Sequence, residues 1–148
     1  MWKSLKKGGI KKIMVKVYIA GPLCQEEERE FLEKVDELCR EMGFKTFLPY
    51  KDAGLLRDVK DFKKISKRDV EELDKCDVMV GILNGICVGA GTAWEMGYFQ
   101  ALGKKVIGLK TDRKVSESIS DISAVIAGEV EIVESLEELK ERLEKNKN

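Results

Sequence analysis

The run Asp77-Val78-Met79-Val80-Gly81-Ile82-Leu83 constrains this chain most. Past its first residue it has no polar side chain, so a strand made from it must be covered on both faces. That is the position of a central strand in a parallel sheet flanked by helices. The rest of the chain alternates to match. Residues 15–20 read as a first strand ending in Gly21-Pro22, 45–48 as a second stopped by Pro49, 105–109 as a fourth and 130–133 as a fifth. Residues 26–42 read as a helix with Phe31, Val35, Leu38 and Met42 on one face, closed by Gly43. A polar connector over 51–60 leads into a helix over 62–75, whose inner face carries Phe62, Ile65, Asp69 and Leu73. Residues 92–102 form a helix ended by Gly103. Another spans 118–127, aligning Ile119, Ile122 and Ile126 and capped by Gly128, and 136–143 lie in a charged last helix.

Such alternation requires right-handed crossovers between parallel strands. The expected fold is α/β: a flavodoxin-like three-layer sandwich with a five-stranded parallel sheet in the order 2-1-3-4-5. The 148 residues support one such domain over 14–148, preceded by a basic arm over 1–13. In these sheets ligands bind beyond the strand C-termini, where the paths from strands 1 and 3 diverge. Both strands are followed by glycine-containing loops, at 20–22 and 84–91.

Lysine plus arginine and aspartate plus glutamate balance at 27 each, so no net charge draws the chain to a nucleic acid polymer or a membrane surface. The basic start lacks the long apolar core of a signal peptide, and a cytoplasmic location is expected. Charged residues make up 36% of the chain and are dominated by Lys and Glu, a bias that fits a thermophile's ion-pair surface. Cys24, Cys39, Cys76 and Cys87 form no C-x-x-C pair and no zinc spacing. Most are expected to be buried thiols, with an intracellular disulfide an option in a hyperthermophile. There is no histidine. That removes Ser-His and Cys-His nucleophiles and histidine zinc sites, and leaves acid–base work to carboxylates, Tyr, Lys or Cys. No metal and no redox cofactor is expected.

The stretch Gly89-Ala90-Gly91-Thr92-Ala93-Trp94-Glu95-Met96-Gly97-Tyr98 follows the central strand and opens a helix. Glycines there let a ligand approach the backbone, and the helix start adds free N–H groups and a positive dipole end. Glu95 falls in the expected first turn, where the dipole would keep it ionised. Thr92 to Glu95 also spells a T-x-x-E capping box, which needs no ligand at all. On that reading Glu95→Ala costs about 1 kcal/mol of stability through the lost cap. Tyr18 lies near the end of the first strand, facing the mouth of the site or packed under the first helix. Asp69 is a carboxylate on an apolar helix face, costly unless paired or exposed to a polar cavity. Asp77, at the other end of the sheet, is expected to cap or pair there. Glu95 and Asp69 together suit glycosidic chemistry, one as nucleophile and one as acid/base.

Val17-Tyr18-Ile19-Ala20-Gly21-Pro22-Leu23, Asp69 eight residues before Asp77, Gly91-Thr92-Ala93-Trp94-Glu95-Met96-Gly97-Tyr98 and Gly103-Lys104-Lys105-Val106-Ile107 together resemble the nucleoside 2-deoxyribosyltransferase family. The resemblance covers most of the chain from Lys16 onward. It implies cleavage of the N-glycosidic bond of a 2′-deoxynucleoside and transfer of the sugar to another base. Glu95 would attack C1′ to form a glycosyl-enzyme ester, Asp69 would handle the proton on the base, and Tyr18 would orient Glu95. Gly21, Pro22, Gly89, Ala90, Gly91 and Thr92 would line the substrate. The substrate would be a small nucleoside or nucleotide, and the protein a homodimer or larger homo-oligomer with shared sites. Ser123, in Ser120-Asp121-Ile122-Ser123, is the residue expected to reach a neighbour's site. One departure matters: many transferases carry aspartate six residues before the catalytic glutamate, where this chain has Gly89. Related 2′-deoxynucleoside 5′-monophosphate N-hydrolases also lack it and use the space for phosphate. Gly89-x-Gly91-Thr92-x-x-Glu95 further resembles the nucleoside-monophosphate phosphoribohydrolases. A non-catalytic nucleotide-binding module, with Glu95 only a cap, is the alternative of another class.

Overall fold

A computed structural model describes residues 14–147, so the basic arm over 1–13 lies outside the described residues. Five parallel strands form one sheet in the order β2-β1-β3-β4-β5, with β1 at Lys16–Ala20, β2 at Lys45–Phe47, β3 at Val78–Ile82, β4 at Lys105–Leu109 and β5 at Glu131–Val133. The central run is β3, and all five of its residues are buried. Helix α1 spans Glu26–Glu41, α2 Pro49–Asp52, α3 Phe62–Lys75, α4 Ala90–Ala101, α5 Ala124–Glu129 and α6 Leu136–Glu144.

Strand parity sorts the core into two layers. Val17, Ile19, Val78, Val80 and Ile82 pack with Leu32, Val35 and Cys39 of α1 and Leu139 and Leu143 of α6. Tyr18, Ala20 and Met79 point the other way, onto Leu73 of α3 and Met96 and Phe99 of α4. Tyr18 therefore packs under α3 and α4, not under the first helix. At the lower end of the sheet the Asp77 carboxylate accepts the Lys16 N–H at 2.8 Å, the pairing expected of it.

Four local expectations need correction. Pro49 does more than stop β2: as the first residue of α2 it starts a helical turn, and the Asp52 carboxylate accepts the Leu48 N–H at 2.7 Å. Phe62 is 54% exposed, so the inner face of α3 begins only at Ile65. The helix expected over 118–127 is instead a 3-10 turn at Val115–Glu117, a bend, and α5. The Ser118 hydroxyl donates to the Lys114 carbonyl and Asp121 is claimed by Arg113, which holds the segment in turns. Ile119 is consequently exposed while Ile122 is buried, and Gly128 lies inside α5. Cys39 and Cys76 are buried but Cys24 and Cys87 are exposed, and all four are free thiols.

Gly21 shows what the fold itself demands. A Cβ there would stand 2.7 Å from Leu32 Cδ2 and 2.9 Å from Ile82 Cβ, and the second atom sits too near its own backbone to move aside. Gly21→Ala should lower stability by about 1–3 kcal/mol, the usual cost of overpacking. A thermal melt indistinguishable from that of the unmodified protein would contradict this packing.

Candidate active site

On the α4 side, a cleft of about 230 Å³ lies between α3 and α4, lined by Ser66, Asp69, Val70, Leu73, Gly91, Trp94 and Glu95. Helical spacing explains the lining. Asp69 and Leu73 are four residues apart on α3, and Ser66 precedes Asp69 by three. On α4, Thr92, Met96 and Phe99 face the sheet and are buried, and Glu95 falls on the same side. Tyr18 lies beneath, with none of its surface exposed.

The α4 start differs from the expected capping box. The helix begins at Ala90 with Gly89 as its N-cap, and Ala93 N–H donates to the Gly89 carbonyl at 2.9 Å. Thr92 is already inside the helix and buried, and Glu95 lies in the second turn, too far along to cap anything. Gly89 adopts an extended backbone that stops the helix there, so the T-x-x-E pattern sits one turn too late.

Burial, rather than the dipole, sets the charge of Glu95. Its carboxyl is pushed up to about 7, chiefly by desolvation and further by the nearby Asp69, with the Tyr18 hydroxyl pulling the other way. Desolvation also pushes Asp69 up to about 6, against a smaller lowering by Arg68. The Tyr18 phenol is raised far above its ordinary range by burial first and then by Glu95 and Asp69. The Tyr18 hydroxyl faces Glu95 closely enough to couple with it, yet stops short of hydrogen-bond geometry. Tyr18 Oη, Asp69 Oδ1 and Glu95 Oε2 are all buried without a hydrogen-bond partner in the protein. Buried polar atoms are nearly always paired. Here three unpaired ones meet in one place, two of them on carboxyl groups inclined to hold a proton near neutrality.

Of the residues expected at the site, the cleft brings together Asp69, Glu95 and Gly91, with Tyr18 below. Gly89, Ala90 and Thr92 sit at the start of α4 without lining it. Gly21 and Pro22 follow β1, where packing against Leu32 and Ile82 already requires the glycine. Ser123 is exposed and caps α5, accepting the Ile126 N–H at 3.3 Å. Sequence reasoning missed Ser66, Val70, Leu73 and Trp94 as lining residues. The helical spacing around Asp69 carried the signal for the first three, and Trp94 stood within the motif. Among the described residues no group of three or more Cys, Asp or Glu is arranged to hold a metal ion, and no helix is long and apolar enough to cross a membrane.

Residues 17–143 match the nucleoside 2-deoxyribosyltransferase family. The fold is similar to that of a conserved protein from Enterococcus faecalis V583 (25% identity, TM-score 0.71, 90% of this chain and 99% of that one). It is also similar to a 2-deoxyribosyltransferase from Bacillus psychrosaccharolyticus (24% identity, TM-score 0.70, 85% of this chain and 90% of that one). An uncharacterized protein of Schizosaccharomyces pombe is 27% identical over 108 residues, which cover 67% of this chain and 51% of the relative, so the chain spans about half that protein's length. The chain belongs to the nucleoside 2-deoxyribosyltransferase family.

A carboxyl whose folded pKa is raised binds its proton more tightly in the folded state. Its penalty is absent below the unfolded value and grows as pH rises through the folded one. For Glu95 that window runs from its ordinary 4.5 to about 7. Glu95→Gln should therefore stabilise the fold at pH 8, by on the order of 1–3 kcal/mol, with the gain shrinking toward pH 4.5. Denaturant titrations at the two pH values check this. A loss of stability at pH 8 would restore the cap reading of Glu95.

Proposed function

We propose that this member of the family cleaves the N-glycosidic bond of a 2′-deoxynucleoside and transfers the deoxyribosyl group to another nucleobase through a glycosyl-enzyme intermediate. The observation that carries the reading is the pair of proton-holding carboxyls, Asp69 and Glu95, in one cleft above the buried Tyr18 hydroxyl. In the first step a Glu95 oxygen bonds C1′ as the C1′–N bond breaks, and Asp69 gives its proton to the departing base. In the second, the acceptor base attacks C1′, its N–H proton passes to Asp69, and Glu95 leaves as carboxylate. Tyr18 orients the Glu95 oxygen that does not attack. The deoxysugar lacks an electron-withdrawing 2′-hydroxyl, so its oxocarbenium-like state forms more easily and a modest acid suffices. Gly91, which lines the cleft, lets the sugar approach the α4 backbone, and a neighbouring copy's Ser123 completes the site in a homo-oligomer.

Charge near the strand ends supports a nucleoside with a free 5′-hydroxyl. Arg29 donates to the Leu23 and Cys24 carbonyls at 2.8 and 3.1 Å, so it is committed to the loop after β1. Lys110 and Arg113 are committed to Asp112 and Asp121. The first turn of α1 adds Glu26, Glu27 and Glu28, which repel phosphate. One observation favours the second reading, hydrolysis of a 2′-deoxynucleoside 5′-monophosphate. At Gly89 a Cβ would meet only Thr92 Oγ1, at 4.0 Å, so space is open beside the α4 start.

The proton inventory gives a pH signature. Glu95 must be ionised and Asp69 protonated, the reverse of their order of proton affinity, so the productive form is the minor one-proton state of a pair that titrates around 6 and 7. Base release should therefore show a bell-shaped kcat/KM with its limbs near those values. Asp69→Asn should lower the rate and remove the alkaline limb, and a wild-type rate still rising at pH 9 would take Asp69 out of the acid role. The reaction itself is checked by chromatography. A deoxynucleoside incubated with a second free base should yield the new deoxynucleoside. Free base and deoxyribose 5-phosphate, formed only from the 5′-monophosphate, would establish the hydrolase instead.

A further inference from the structure

Trp94 is the least accounted-for residue at the cleft. It lines the cavity beside Asp69 and Glu95, yet its side chain is left 56% exposed. A large aromatic group standing free at a site edge is unusual for a residue that only packs. Its surroundings fix it in place. The indole stacks on Tyr98, with ring centroids 5.2 Å apart and planes 10° from parallel. The Tyr98 hydroxyl in turn donates to Asp74 Oδ1 of α3 at 2.9 Å, tying the stack across the two helices that frame the cleft. Tyr98 lies one turn C-terminal to Trp94 and covers one face of the indole. Helical side chains lean over the turn N-terminal to them, and in that turn Gly91, another lining residue, has no side chain to fill the space.

We propose that Trp94 is a substrate-binding residue, the platform on which the nucleobase stacks, pre-set by Tyr98 and its Asp74 tether. The inference rests on the nucleoside reading above and assigns the base end of the substrate to a named surface. A flat heterocycle laid against the indole face away from Tyr98 would lie in the cleft that Asp69 and Glu95 also line. The platform is indifferent to which base is present, because every base has a π-face. That suits an enzyme that must hold one base as leaving group and another as acceptor. Stacking acts on bound substrate and transition state alike, so its loss raises KM and leaves kcat nearly unchanged.

The chain's two tryptophans are Trp2 and Trp94, so Trp2→Phe leaves Trp94 as the single indole reporter. Titrating that variant with free adenine and free cytosine should give saturable quenching, and 2-deoxyribose alone should give none. In steady-state assays Trp94→Leu, which keeps apolar volume without a π-face, should raise the deoxynucleoside KM by about tenfold or more, with kcat little changed. Trp94→Phe should restore most of the affinity, which a merely structural role would not produce. Calorimetric titration of folded Trp94→Leu with adenine gives the same comparison without turnover. Adenine affinity and KM equal to the wild type's in Trp94→Leu, or no quenching by either base, would overturn the platform. If base transfer proceeds, is lost in Glu95→Gln and is untouched in Trp94→Leu, the platform fails while the functional reading stands. If the bases quench Trp94 and no deoxynucleoside is cleaved, the platform stands and the reaction falls.

Discussion

Helix α4 is seated on the sheet where β3 has no side chain to hold it off. A Cβ on Gly81 would lie 2.9 Å from Met96 Sδ, so the methionine enters the space the glycine leaves. Met96 and Glu95 are neighbours on one helix, and the depth of one sets the depth of the other. The seating brings the Glu95 carboxyl down beside the Tyr18 hydroxyl of β1. Strand parity places Tyr18, rather than Val17 or Ile19, on this face. Asp69 arrives from α3 by the same helical spacing that buries Leu73. The site is thus a consequence of how two helices rest on Gly81 and Tyr18 of a parallel sheet.

The polar groups of the molecule divide into two kinds. Around the C-terminal ends of β3 and β4 they are paired. Lys110, wholly buried, donates to Asp112 at 2.8 Å and lies 3.6 Å from Asp121. Gly85 N–H donates to Asp112, and Asn84 and Thr111 bond each other twice. That network fixes the loop leading into α4. In the cleft, by contrast, Tyr18, Asp69 and Glu95 each keep a buried polar atom without a partner. Asp36 on α1 also keeps one such atom, but the cleft gathers three together, a pattern found where chemistry requires groups out of their relaxed state. The pairing at the loop and its absence in the cleft belong together, because a carboxyl held unpaired needs a rigid frame.

Much of this was legible in the sequence because the signals were periodic. The apolar run at β3 and the alternation around it fixed the fold class and strand order, and α3 and β4 begin and end where the pattern places them. Asp69 stood out as a carboxyl on an apolar face, and Glu95 as the acidic residue of the glycine motif. What failed were features decided by tertiary contacts. The T-x-x-E pattern is local and could not register that the helix starts one turn earlier, at Ala90, with Glu95 buried. Three aligned isoleucines suggested a helix at 118–127, but the ion pair of Arg113 with Asp121 lies outside any local window. Trp94 stood inside the glycine motif, but nothing in the spacing reports that its side chain is exposed at the cleft. The depth of Tyr18 depended on strand pairing that no spacing reports.

The central claim is that Glu95 becomes covalently bonded to the deoxyribosyl group. The most direct measurement is intact-mass analysis of the protein quenched in acid during turnover of a deoxynucleoside, followed by peptide mapping. The account predicts a deoxyribosyl adduct on the peptide containing Glu95, discharged by a free acceptor base and absent in Glu95→Gln. Turnover without an adduct in wild type while Glu95→Gln still releases base, or an adduct mapped to another residue, would contradict it.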